Sequence, residues 1–172
     1  MTLHLVELLV TETEPTERFA SGARVAASAS GGRVIEATFA SELNRLYLIV
    51  EGSQPDALTD ALRSAAYRVE GVAPVRLVGE TPKRNAPSPS HLVEWDLPIN
   101  MKMDQYLKRK AEKAPLYAAV PEVRFLRTYV REDMVKCVCL YDAPDEDAVR
   151  RAREAVGAPV DRLTRVAPSD EE

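Results

Sequence analysis

Short stretches of alternating apolar and polar residues recur along the chain, and amphipathic or alanine-rich stretches lie between them. Alternation with a period of two predicts β-strands, and apolar residues three or four positions apart predict helices. Each half of the chain therefore predicts strand, helix, strand, strand, helix and strand. The predicted elements of the first half are Leu3–Val10, a helix from Pro15 or Thr16 to Ser28, Arg33–Phe39, Leu46–Val50, Pro55–Tyr67 and Pro74–Val78. Those of the second half are Leu92–Leu97, Met103–Ala114, Arg124–Val130, Val135–Tyr141, Pro144–Ala155 and Arg162–Val166.

The two halves also share short segments. The tetrapeptide His4–Glu7 recurs as His91–Glu94, about half the chain later. Self-similarity of this kind is typical of duplicated structural units. We therefore predict two copies of one unit, at residues 1–80 and 91–172, joined by a linker at residues 81–90 that is rich in proline and serine.

The order of the elements predicts the fold class. A βαββαβ order is typical of the ferredoxin-like fold, an antiparallel sheet with both helices on one face. The predicted class is α+β, with two tandem ferredoxin-like βαββαβ repeats. Since the strands are too apolar to leave the second face of each sheet in water, we expect the two sheets to pack face to face as a pseudo-twofold α+β barrel.

Composition narrows the function classes. A net charge of −4 and a pI near 5.4 argue against a nucleic-acid partner, which needs a clustered basic face. No apolar run approaches the roughly 18–20 residues that span a bilayer, and the N-terminus does not resemble a secretory signal. Only two cysteines are present, Cys137 and Cys139. These features favour a cytoplasmic protein with no membrane partner.

Buried carboxylates are the first candidate site residues. Strand alternation places Val93 and Trp95 on one strand face and Glu94 on the other. The bulkier face is expected to meet the helices, so Glu94 and its counterpart Glu7 would face the partner sheet. A carboxylate there is either solvated or ion-paired near a barrel mouth, or part of a polar site inside the barrel.

Arg127 and Tyr129 extend this candidate set. Both are expected to point away from the helices on the second strand of this half, provided that Leu126 and Thr128 pack against the helices. Arg127 could pair with Glu94, or with Glu36 from the other half. A structural ion pair and a ligand anchor both fit this pattern. The candidate ligand-binding residues are therefore Glu94, Arg127, Tyr129, Glu7 and Glu36.

Cysteine and histidine supply the candidate metal ligands. Cys137 and Cys139 share one strand face, where they are either small buried apolar residues or a thiolate ligand or redox-sensitive thiol. We expect no disulfide between them. His4 and His91 each begin a first strand, so each is expected to be exposed at a strand end unless it binds a metal. The candidate metal ligands are His4, His91 and Cys139.

Residues 92–166 resemble a family of uncharacterised bacterial ferredoxin-like proteins that includes a nickel-binding type. The most telling stretch runs from Cys137 through Leu140-Tyr141-Asp142 to Glu146, and Gly157-Ala158-Pro159 followed by Arg162–Val166 completes it. The resemblance implies a ferredoxin-like fold and a link to nickel. The first half departs from the pattern, because Leu46 and Leu48 replace the cysteines and Glu36 replaces Arg127.

These observations lead to two main hypotheses of function. The first is a small cytoplasmic, non-catalytic binding protein that holds a divalent transition metal, nickel by resemblance, or a small metabolite between its two sheets. The second is an α+β-barrel enzyme, such as an isomerase, cyclase or cofactor-free oxygenase acting on an apolar metabolite. Its acid–base set would be Glu94, Arg127, Tyr129 and Cys139. A structural interaction module is a third hypothesis, and a homodimer is a further expectation.

Overall fold

A computed structural model of the chain describes residues 2–11, 15–83 and 88–167. Residues 84–87 of the predicted linker lie outside the described residues. So does the tail at 168–172, which was expected to be mobile. The chain divides into two units, one formed by Met1–Val75 and Val166–Glu172 and the other by Arg76–Arg165. The bounds of these units differ from those of the predicted repeats. The chain leaves the first unit between Val75 and Arg76, within one strand, and returns to it at Val166.

The described residues contain eight strands and four α-helices, in the α+β class that the sequence predicts. The elements are β1 Leu3–Leu9, α1 Thr16–Ser28, β2 Arg33–Ala40, β3 Arg45–Glu51, α2 Pro55–Ser64, β4 Arg68–Gly79, β5 His91–Asp96, α3 Met103–Lys113, β6 Arg124–Arg131, β7 Lys136–Asp142, α4 Glu146–Ala155 and β8 Arg162–Arg165. A 3₁₀ helix, Ala114–Ala119, follows α3 directly. None of the helices described is both long enough and apolar enough to cross a bilayer.

The strands of the first unit are hydrogen-bonded in the order β2-β3-β1-β4, and those of the second unit in the order β6-β7-β5-β8. In the first unit β1 is antiparallel to both β3 and β4, and in the second unit β5 is antiparallel to both β7 and β8. Each half thus has the βαββαβ element order, with its first strand in a central position, as in the ferredoxin-like fold. The duplication itself and the barrel packing stay predictions.

Local sequence signals explain where the helices of the second unit begin and end. The Asp145 carboxylate accepts a hydrogen bond of 2.8 Å from Ala148 N and caps α4. Gly157 ends this helix with a φ of +67°, a left-handed conformation that glycine adopts without strain. At the start of α3, the Gln105 side chain accepts from the Lys102 backbone N–H at 3.0 Å. These caps fix the two helices that cover one face of the sheet.

Strand alternation predicts the two faces of the second unit correctly. Val93, Trp95 and Leu97 pack in the cluster formed by the sheet and the helices. Cys137 and Cys139 lie in the same cluster. β4 is the main departure, since it begins at Arg68 rather than at Pro74. The sequence pattern predicts the strand only from Pro74, but cross-strand pairing with β1 extends it back to Arg68.

Candidate binding site in the second unit

Glu94 lies on the sheet face opposite the helices and is completely buried. Lys136 Nζ lies 2.8 Å from its Oε1, and Arg162 Nε donates to its Oε2. Arg162 also pairs with Asp96. A buried carboxylate is stable only when it is paired and hydrogen-bonded. Glu94 therefore belongs to an ion-pair network that joins β5, β7 and β8.

Arg127 and Tyr129 share this sheet face with Glu94. Tyr129 and Glu94 are both register partners of Val138, and Arg127 lies opposite Leu140. The two side chains are buried, with exposed fractions of 4% and 1%. Thr128 lies on the other face, as expected, because its hydroxyl contacts Cys139 in the helix-side cluster. A role of these three residues in ligand binding stays a prediction.

Glu7 in the first unit has a related arrangement. It is buried on β1, and its Oε1 lies 3.4 Å from Arg45 Nη1 on β3. Glu36, 8% exposed, lies on β2 directly after a β-bulge. A role for Glu7 or Glu36 in ligand binding also stays a prediction.

Both histidines are buried, so the expectation of exposed strand ends is wrong. His4 and His91 are 3% and 4% exposed. The physical reason is that each lies on a central strand, with a neighbouring strand on both sides. His91 Nδ1 is 2.8 Å from Ser90 Oγ. His4 Nδ1 has no hydrogen-bond partner within the described part of the chain, and burial lowers the His4 pKa below 6.5.

The helix-side face of the second unit carries a buried thiol pair. Cys137 and Cys139 are both fully buried, and their sulfur atoms are 3.9 Å apart. Thr128 Oγ1 is 2.8 Å from Cys139 Sγ, and Arg153 Nη1 is 3.6 Å from it. The hydrogen bond with Cys137 holds the pKa of the Cys139 thiol well below its usual value, and Lys110 and Arg153 act in the same direction. Of the two thiols, Cys139 is therefore the one whose surroundings favour loss of the proton.

Arg153 is the most unusual residue of this cluster, since its side chain is only 2% exposed. It donates to Tyr141 Oη at 3.1 Å and to the Pro159 carbonyl at 2.5 Å. Its guanidinium lies over the Trp95 ring, 5.8 Å from the centroid. Among the described residues, Arg153 Nε has no hydrogen-bond partner. This buried guanidinium therefore keeps one donor that no described residue satisfies.

A small cleft of about 30 Å³ opens beside Arg153 between α3, the 3₁₀ helix and α4. Its lining consists of cations, aromatic rings and small apolar residues: Trp95, Tyr106, Arg109, Lys110, Lys113, Ala114, Tyr117, Arg153, Val156 and Ala158. No carboxylate of the described residues lines it. Burial raises the pKa of Tyr117 to about 12, and burial also raises that of Tyr106. Both phenols are therefore neutral at physiological pH, and the charge of the lining is positive.

Three residues that line the cleft were not predicted as site residues: Arg153, Lys110 and Tyr106. One signal was present, because Arg153 lies four residues after Val149 and three before Val156, on the apolar face of α4. A charged residue on the buried face of a helix requires partners. Nothing in the pattern of α3 distinguishes Lys110 from the exposed lysines around it.

The sequence model of one protein family matches residues 91–166. That family is described as "Nickel responsive protein SCO4226-like". The match supports the resemblance found in the sequence, although it covers less than half of the chain. Every residue that lines the cleft lies within the matched range. A search of curated proteins gave no match.

Solved structures resemble the chain over almost its whole length. The candidate chlorite dismutase TA0507 has a TM-score of 0.56 at 14% identity, covering 98% of this chain and 96% of that one. An anthrone oxidase-like protein has a TM-score of 0.53 at 10% identity, with coverages of 97% and 92%. A candidate monooxygenase from Lactobacillus acidophilus NCFM has a TM-score of 0.52 at 11% identity, with coverages of 96% and 92%. At these identities the similarity establishes the fold alone.

The described residues do not form a site that fits a nickel ion. In the described ranges, no group of three or more His, Cys, Asp or Glu lies close enough together to hold a metal. The candidate set His4, His91 and Cys139 is therefore not assembled as such a group. Nickel favours several nitrogen or oxygen ligands, whereas the neighbours of the Cys139 sulfur include the cations Lys110 and Arg153.

Proposed function

We propose that this chain is a small-molecule binding protein whose second unit holds the carboxylate of a small organic acid in the cleft between α3 and α4. The observation that carries this proposal is Arg153, which is almost completely buried at the cleft and has an unused Nε donor among the described residues. A guanidinium binds a carboxylate through directed, charge-assisted hydrogen bonds.

The composition of the lining supports an organic anion. Arg109, Lys110 and Lys113 add positive charge around Arg153, and Trp95 contributes an aromatic wall. The volume of about 30 Å³ is enough for one small polar group such as a carboxylate. The rest of the ligand would lie along the exposed rim, where Lys113 is located.

The same lining favours binding over proton transfer. General acid–base catalysis uses groups that titrate near the working pH, whereas the described residues that line the cleft include no carboxylate, imidazole or thiol. The fold is also that of the candidate monooxygenase and chlorite dismutase described above, but this similarity does not identify a reaction for the present chain.

Isothermal titration with benzoate, at fixed ionic strength and after purification without a metal-affinity step, tests the proposal. We expect one site per chain, and we expect Arg153→Met to abolish the binding heat. Arg150→Met is the matched control, because Arg150 lies on the same helix but is exposed and outside the cleft. If the folded protein gave no heat with benzoate but bound nickel chloride, the metal hypothesis would replace this one.

A further inference from the structure

We propose that Cys137 and Cys139 form a two-thiolate site for a soft monovalent metal ion, with copper(I) as the chemical class. This site is separate from the organic-acid cleft, although Arg153 borders both. The two sulfur atoms have no third metal-ligating residue beside them among the described residues. Such a pair suits an ion that needs fewer ligands than nickel does.

The geometry of the strand defines what the pair can hold. The two sulfur atoms lie 3.9 Å apart on one face of β7. A disulfide needs them about 2.05 Å apart, which an extended strand with parallel Cβ directions opposes. Metal–thiolate bonds are about 2.3 Å long, so one ion placed between the sulfur atoms reaches both in a bent arrangement. The pair is therefore spaced for a bridging ion rather than for a covalent bond.

The number of ligands selects the ion. Zinc completes a tetrahedral site with four ligands, and no third His, Cys, Asp or Glu lies with the two cysteines in the described residues. Copper(I) is soft, prefers thiolate sulfur, and is satisfied by two such ligands. The Cys-Val-Cys segment thus supplies a complete coordination shell for copper(I) but an incomplete one for nickel or zinc.

The surrounding charges fit the complex that would form. Two thiolates and one monovalent ion carry a net charge of −1, which is costly to bury without a counter-charge. Arg153 Nη1 lies 3.6 Å from Cys139 Sγ, and the Lys110 ammonium is close enough to influence both thiols. These cations offset the net negative charge of a bis-thiolate copper(I) complex.

The site is also dry. Both cysteines have an exposed fraction of 0%, and Val93, Trp95 and Val130 pack around them in the core cluster. The Tyr106 hydroxyl is buried and lies close enough to Cys137 and Thr128 to interact with both side chains. Exclusion of water protects copper(I) from oxidation.

Anaerobic titration of the full chain with the tetrakis(acetonitrile) copper(I) complex, against a chromogenic copper(I) chelator, tests this inference. We expect one copper(I) per chain and sulfur-to-copper charge-transfer absorption. Cys137→Ser and Cys139→Ser should each lose the one-to-one binding. Arg153→Met should weaken it by about 10-fold or more, as removal of an outer-shell partner does, while the exposed control Arg150→Met should bind like the wild type.

X-ray absorption of the copper-loaded wild type gives a result that does not depend on any variant folding. Two sulfur ligands at bonding distance support the site, and a shell of nitrogen or oxygen overturns it. A wild type that leaves all copper with the chelator, or folded serine variants that bind as tightly as the wild type, would also overturn it. Benzoate titration is independent of these outcomes, so failure of this site and failure of the organic-acid cleft are distinguishable.

Discussion

Arg153 lies against Cys139, with Nη1 3.6 Å from the sulfur, in the interior of the second unit. Both side chains are essentially without solvent contact. An isolated charge is rarely tolerated at such a depth, and Arg153 also donates hydrogen bonds to Tyr141 Oη and the Pro159 carbonyl. The contact joins α4 to β7 and connects the thiol pair with the cleft.

Replacing Arg153 with Met should lower the free energy of unfolding by about 1–3 kcal/mol, because Tyr141 Oη and the Pro159 carbonyl lose a charged donor. Urea denaturation of the apo protein measures the change. Arg150→Met should change it by less than about 0.5 kcal/mol, since Arg150 is exposed on the same helix. Equal stability of the two variants would mean that Arg153 is not held as described.

Glu94→Gln should be strongly destabilising, by about 3–5 kcal/mol, because it leaves the Lys136 ammonium buried without its carboxylate. Benzoate binding by the folded fraction should be unchanged, since Glu94 lies on the sheet face opposite the cleft. Glu132→Gln is the control: its ion pair with Arg76 is exposed, and such pairs contribute about 0–1 kcal/mol. Normal stability with lost binding would make Glu94 a ligand residue instead.

The pairing of Glu94 shows how far the sequence can predict the candidate site. Glu94 lies opposite Val138, and its cation Lys136 is two residues before Val138. In the same way, Glu7 lies opposite Tyr47, and its cation Arg45 is two residues before Tyr47. The two carboxylates therefore have equivalent cations. An alignment of the two halves shows this correspondence only with a gap, because the carboxylates are 87 residues apart in the sequence and the cations are 91 apart.

Other features depend on tertiary packing and could not be predicted in this way. The first strand of each half is central, as the predicted ferredoxin-like order implies, but the sequence pattern does not show what covers the side chains of His4 and His91. The cleft lies between α3 and α4, so Lys110 and Arg153 line the same cleft although they are distant in sequence. Alternation along one strand correctly predicted that Cys137 and Cys139 share a face, but not which cations lie above them.

Acidification should destabilise the first unit through His4. Burial lowers its pKa in the folded chain below the value of 6.5, so the unfolded chain binds the proton more tightly. Stability from the neutral imidazole is therefore complete above pH 6.5 and decreases as the pH falls below it. Melting temperatures at pH 7.5 and 5.5 should differ less in His4→Leu than in the wild type. An identical pH dependence in both proteins would contradict this assignment.

Two lysines on α3 allow a matched test of the rim of the cleft. Lys113 lines the cleft, whereas Lys108 lies one and a half turns earlier, is exposed, and lies outside the lining. Both substitutions remove one positive charge from the same helix, so their effect on the net charge of the chain is identical. A solvent-exposed ion pair contributes about 0–1 kcal/mol, so Lys113→Ala should weaken benzoate binding by up to about 5-fold.

Lys108→Ala should leave the benzoate dissociation constant unchanged, and the difference between the two variants should shrink as sodium chloride screens the rim. Isothermal titration at two salt concentrations measures both effects. If the two variants weakened binding equally, benzoate would be sensing the overall charge of α3 rather than the cleft. The anion would then lie outside the space between α3 and α4, and Arg153 would be a structural residue alone.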